Sequence, residues 1–188
     1  MRCFVAIELS GEVRGACGAL IAELRPETPK VRWVPPENIH LTLRFLGDIE
    51  DSVGERVMER VAAAAADLSP MTLTARGLGC FPNPRKPSVV WLGVHTAGDG
   101  LARLQQAAEE AAREAGLAAE KRAFKPHLTL GRIRQPGRPV PMADLAKQYE
   151  EYEAGAWTVR DVALFASELH PAGARYHRVA AVPLGTPE

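Results

Sequence analysis

Two rhythms take turns along the chain: short runs of dense apolar residues, and longer stretches in which apolar residues recur every three or four positions. Residues 3–9 (CFVAIEL) predict a strand, after which Val13, Ala16, Cys17, Leu20, Ile21 and Leu24 share one face of a helix. Ser10 or Gly11 starts that helix and Pro26 closes it. A Pro-rich turn (VPPEN, 34–38) leads into a strand over 39–47, a helix with Val53, Val57, Val61, Ala64 and Leu68 on one side, and a strand over about 71–79.

Residues 80–88 (CFPNPRKPS) hold three prolines and no periodicity, which reads as a linker. The alternation then restarts, with a strand at 89–95, a helix carrying Leu101, Leu104, Ala108, Ala111 and Ala115, and a strand at 127–133. A Pro/Gly-rich loop at 135–141, a helix over about 142–151 and strands at about 157–166 and 176–183 complete it. No GxGxxG or GxxxxGK[ST] follows any strand, so a doubly wound nucleotide-binding sheet is disfavoured. The expectation is an α+β fold of one domain, 1–188, made of two β-α-β-α-β repeats, about 1–80 and about 89–188, whose lobes face each other.

Composition narrows the partners more than the fold. Lys+Arg and Asp+Glu stand at 23 each, so the chain has no global field to gather long nucleic acid, and any such contact must be local. Cys3, Cys17 and Cys80 fit no zinc spacing, and a chain of this length needs no disulfide framework. The apolar N-terminal run is interrupted by Arg2 and Glu8 and is too short for a signal or a membrane span, so a cytoplasmic protein is expected.

The chemistry is concentrated in a tetrapeptide that occurs twice. His40-Leu41-Thr42-Leu43 and His127-Leu128-Thr129-Leu130 are identical, and they follow their opening strands at nearly equal distances, from Phe4 and from Val89. On a strand the leucines leave one face for the core, while His and Thr leave the other. Two facing copies would set two imidazoles and two hydroxyls around one point, a cage suited to a tetrahedral phosphate. Hydrolysing a cyclic phosphodiester requires taking a proton from water and giving one to the departing ribose oxygen, and histidine does either near neutral pH. Thr42 and Thr129 are positioned to donate to the non-bridging oxygens, which takes over part of a metal's work. Neither motif contains Asp or Glu, and HExxH is absent, so no metal is expected.

With FVAIEL, VRWVPPENIHLTLRFLGDI, GLGCFPNPRKPSVVWLGV, AFKPHLTLGRI and LFASELHPAGARYHRVAAVPL, the chain resembles the two-histidine phosphoesterase superfamily over nearly its whole length. Within it, the similarity is to the RNA 2',3'-cyclic phosphodiesterase branch, also called 2'-5' RNA ligase. The resemblance implies a bilobal fold with a pseudo-two-fold axis, antiparallel sheets around a central cleft, and no cofactor. It implies RNA ends bearing 2',3'-cyclic phosphate as substrate, a 2'-phosphate as product, His40 as proton donor and His127 as proton acceptor. Reversible joining of RNA ends through a 2'-5' linkage accompanies this activity in the family. A monomer is expected.

Four further residues are candidates for substrate contact. Arg44 has the parity of His40 and is expected on the cleft side, with Phe45 on the core side; Arg132 has the opposite parity to His127 and would need a bulge at Gly131 to reach the cleft. Phe4 and Phe124 are candidates for stacking on a terminal base, with core packing as the competing role. Trp33 and Trp91 are assigned to the core. Two other functions stand beside this one: a cyclic phosphodiesterase for a small nucleotide, which nothing in these residues separates from one acting on RNA, and a noncatalytic RNA-end binding module, which would have no use for two titratable groups.

Overall fold

The computed structural model describes residues 1–133, 140–170 and 173–185. Most of the loop expected at 135–141 lies outside them. Where apolar residues are dense the chain extends: β1 (Arg2–Ile7), β3 (Leu41–Asp48), β4 (Met71–Phe81), β5 (Val89–Thr96), β6 (His127–Ile133) and β9 (Gly173–Pro183) occupy the expected segments. The helical spacings give α1 (Gly11–Leu24), α2 (Asp51–Ala66), α3 (Gly100–Glu114) and α4 (Met142–Gln148). Helix α1 begins where Ser10 Oγ accepts from the amide of Val13, and it buries Val13, Cys17, Leu20, Ile21 and Leu24 as the spacing requires. No helix of the described residues is long and apolar enough to cross a membrane.

Two elements differ from expectation. The strand expected at 157–166 is two strands, β7 (Glu153–Val159) and β8 (Asp161–His170), parted at Arg160. Residues Val31–Trp33 form a short additional strand, β2, against the end of β6. The first is a one-residue break and the second a three-residue strand, both too short for periodicity to register.

The nine strands of the described residues join one antiparallel sheet, as an α+β fold requires, in the order β7-β4-β5-β6-β3-β1-β8-β9, with β2 beside β6. The order is palindromic about the junction of β6 and β3. That junction is a single pair, Leu41 opposite Leu128, the first leucine of each tetrapeptide. Residues 82–88 connect β4 to β5 as a long hairpin, beginning at a cis Phe81–Pro82 bond. The fourth strand of each repeat therefore crosses over: β4 sits beside β5, and β8 beside β1. Helices follow the same exchange, with α1 against β7 and α4 against β4 on one side, and α2 and α3 packed together against β9 and β3 on the other. Leu41, Leu128 and Leu130 are fully buried beneath the helices, which leaves the opposite face of the sheet centre open.

Candidate active site

The pairing of Leu41 with Leu128 fixes everything else at the sheet centre. An antiparallel register sets His40 across from Thr129 and Thr42 across from His127, with all four side chains on the face away from the buried leucines. Cross-strand neighbours stand about 5 Å apart at Cβ, and alternate residues along a strand about 7 Å apart. Four polar groups thus border an opening of phosphate size. All four are half-buried.

Each imidazole is held in the same way. His40 Nδ1 lies 2.9 Å from the carbonyl oxygen of Asn38, and His127 Nδ1 lies 2.6 Å from that of Lys125, both two residues upstream. A carbonyl only accepts, so each Nδ1 carries the hydrogen and each Nε2 is left free for proton exchange. Asn38 has a second task, since its side-chain amide donates to the carbonyl of Ala174 at the start of β9. Burial pushes the His40 pKa down to about 4, against a smaller raising effect from the Asn38 carbonyl. His127 is also lowered, first by burial and then by the positive charges of Arg132 and Arg122. Both rings are therefore neutral in the free protein at pH 7.

The two sides of the opening differ in lining. On the His40 side, Phe4 lies 4.6 Å from the imidazole and 5.4 Å from Phe165, the imidazole itself is 6.4 Å from Phe165, and Tyr176 is edge-on to both Phe4 and His40. Phe4 is only 3% exposed, so it packs against His40 and offers no open face to a base. On the His127 side, Phe81 meets the imidazole edge-on at 5.0 Å and Trp91 lies 6.3 Å away. Trp91 pairs with Thr129 and shares its face, which places it at the site and not in the core.

Two bulges at equivalent positions decide the arginines. In β3, Ala6 pairs with Thr42 and Val5 with Arg44, leaving Leu43 as the extra residue; in β6, Trp91 pairs with Thr129 and Val90 with Gly131, leaving Leu130. Each second leucine of the tetrapeptide is thus a bulge that reverses the parity beyond it. Arg44 consequently turns to the helix side, where its Nε lies 2.5 Å from Glu109 and its guanidinium reaches the carbonyl of Ala118. It does not line the cleft, contrary to its simple strand parity. Phe45 takes the cleft side instead, 55% exposed and 5.9 Å from Phe4. The bulge in β6 does the reverse for Arg132, which is exposed; its charge adds to burial in lowering the His127 pKa, and it partly offsets the rise that burial gives Tyr176. Phe124 and Lys125 line a groove on the His127 side together with Trp91. Phe45, Trp91 and Tyr176 are site residues that periodicity does not reveal; the signal that finds the first is the duplication itself, since Phe45 and Arg132 each stand five residues after a motif histidine.

Among the described residues, no three His, Cys, Asp or Glu side chains converge as metal ligands.

Comparison with known proteins bears on the family and the fold. The family model for the 2'-5' RNA ligase superfamily matches residues 12–171. A protein of Archaeoglobus fulgidus named RNA 2',3'-cyclic phosphodiesterase is 36% identical over 176 residues, covering 94% of this chain and 96% of its own. One of the same name from Methanothermobacter thermautotrophicus is 34% identical, covering 94% and 95%. The crystal structure of the Thermus thermophilus protein TT0787 superposes with a TM-score of 0.81 at 30% identity, covering 98% of each chain.

Proposed function

The chain belongs to the 2'-5' RNA ligase superfamily, and from that membership we propose that it opens RNA-terminal 2',3'-cyclic phosphates to 2'-phosphomonoesters with a histidine pair and no metal. The observation that carries this reading is the mirrored pair of imidazoles, His40 and His127, each tied through Nδ1 to the carbonyl two residues before it. Cyclic phosphodiesterase activity follows from the relatives' names. The division of labour, His40 as proton donor and His127 as proton acceptor, is the one the family resemblance implies.

An in-line displacement needs the entering and departing oxygens on opposite sides of the phosphate. His127 Nε2 takes a proton from water as it attacks, and His40 gives one to the ribose 3' oxygen as its bond to phosphorus breaks. Thr42, Thr129 and Arg132 donate to the non-bridging oxygens as negative charge builds on them. These fixed donors supply the charge stabilisation that a metal supplies in other phosphodiesterases. The two repeats, about 1–80 and about 89–188, each contribute one histidine and one threonine, so the whole of 1–188 acts as one catalytic unit. RNA ends are the substrate, engaged by a monomer in the cytoplasm.

Incubation with an oligonucleotide ending in 2',3'-cyclic phosphate tests the reading. Turnover that persists in EDTA and yields a 2'-phosphate is expected; a 3'-phosphate product would exchange the leaving oxygen, and EDTA sensitivity would end the metal-free mechanism. His40→Ala and His127→Ala should each lower kcat by about three orders of magnitude or more while the fold is retained.

A further inference from the structure

Beyond the phosphate opening, the same face of the sheet continues into a groove of about 650 Å³ bordered by Trp91, Gly93, Phe124, Lys125 and Arg76. Its position relative to the site is fixed by pairing: Gly93 stands directly opposite His127, and Trp91 opposite Thr129, so their side-chain positions open onto the same face as the catalytic groups. Glycines shape its floor. A Cβ on Gly93 would lie 2.8 Å from the Arg76 carbonyl oxygen, and one on Gly79 would lie 2.2 Å from the Trp91 ring, so any larger residue at either position would collide with the backbone or the indole. The Trp91 indole thereby lies over Gly79 beside the groove, and its Nε1–H is buried without a hydrogen-bond partner among the described residues.

We propose that this groove is the subsite for the 5'-hydroxyl nucleoside that stands on the far side of the phosphate, the acceptor in 2'-5' joining and the departing nucleoside in 2'-5' cleavage. The proposal rests on the roles given to His40 and His127 above. Water as the attacking species needs no room beyond a single oxygen, whereas the groove is within the roughly 300–1,000 Å³ of small-molecule sites. Its lining joins two aromatic side chains, Trp91 and Phe124, to a cation, Lys125, the combination that binds single nucleotides without regard to base. It also lies on the side of the histidine that removes a proton from the attacking oxygen. The His40 side, with Phe45 exposed and Tyr176 half-buried beside Phe4, is left for the nucleoside that carries the cyclic phosphate.

In the joining direction the 5' oxygen attacks phosphorus and passes its proton to His127. The bond from phosphorus to the 3' oxygen breaks, His40 protonates that oxygen, and a 2'-5' phosphodiester results. No co-reactant is consumed, because the ring-opened ester replaces the cyclic one.

The test is competition between water and acceptor. An oligonucleotide with a 2',3'-cyclic phosphate end is incubated with increasing amounts of a second oligonucleotide bearing a free 5'-hydroxyl, and the ratio of joined to hydrolysed product is measured. The ratio should rise with acceptor and saturate. In Phe124→Ala and, independently, in the surface variant Lys125→Glu, it should fall about ten-fold or more at fixed acceptor, the size of a lost stacking or phosphate contact. An unchanged ratio in both folded variants would overturn the subsite. So would a wild-type protein that hydrolyses the cyclic end yet forms no joined product at any acceptor concentration, and in that case the phosphodiesterase reading would still stand. No hydrolysis at all would remove both.

Discussion

At the level of single residues, the two histidines are alike in tether and unlike in surroundings, and this sets the expected pH dependence. Burial lowers both rings from an ordinary value near 6.5, His40 to about 4. The productive form needs one ring protonated and the other neutral, so in the free protein it is scarce at neutral pH and grows as the pH falls. A plot of kcat/KM against pH should therefore be bell-shaped with its maximum below about 6.5 and its acid limb near 4, since this quantity reports the free enzyme. A bound phosphate anion beside His40 favours its charged form, so the kcat profile should be displaced to higher pH than that of kcat/KM. Coincident profiles measured on a cyclic-phosphate oligonucleotide would contradict this account. The histidines and threonines were legible in sequence because an identical tetrapeptide occurs twice. Tyr176 was not, because it arrives from a strand 136 residues after His40 with no local pattern of its own.

Among elements, the strands were largely legible and their faces only up to the first irregularity. Period-two reasoning assigns a side chain by counting, and one extra residue inverts every later assignment. It placed Leu41, Thr42, Leu128 and Thr129 where they lie, and it failed for Arg44 and Phe45 immediately beyond the bulge at Leu43. The same count, corrected by the matching bulge at Leu130, delivers Arg132 to the cleft. Arg44 is then a structural tie between β3 and α3, and Arg44→Ala should cost about 2 kcal/mol by leaving the partly covered Glu109 carboxylate without its cation. Its cyclic phosphodiesterase kcat should stay within about two-fold of the parent, measured beside urea unfolding; a large loss of kcat without loss of stability would return Arg44 to the site.

For the molecule as a whole, the sequence repeats and the structural lobes do not coincide. Strand β4 belongs by sequence to the first repeat and pairs with β5 and β7, while β8 and β9 belong to the second and complete the sheet beside β1. Sequence periodicity could show the duplication but not this exchange, since which strands pair is decided by contacts far apart in the chain. Neither half can then bury its own apolar surface. Unfolding should be a single cooperative transition, and residues 89–188 expressed alone should lack a cooperative thermal melt; a well-folded fragment would show that the exchanged strands are dispensable.

The palindromic strand order with a single leucine pair at its centre has one more consequence. A closed two-fold dimer whose subunits trade their fourth strand would have the same arrangement, with the Leu41–Leu128 pair replaced by one leucine meeting its own symmetry mate. Joining two such subunits through one hairpin, here 82–88, frees the copies to diverge without losing their registry. The two repeats differ at one equivalent position, five residues after each motif histidine, where Phe45 puts an aromatic surface on one side of the opening and Arg132 a cation on the other.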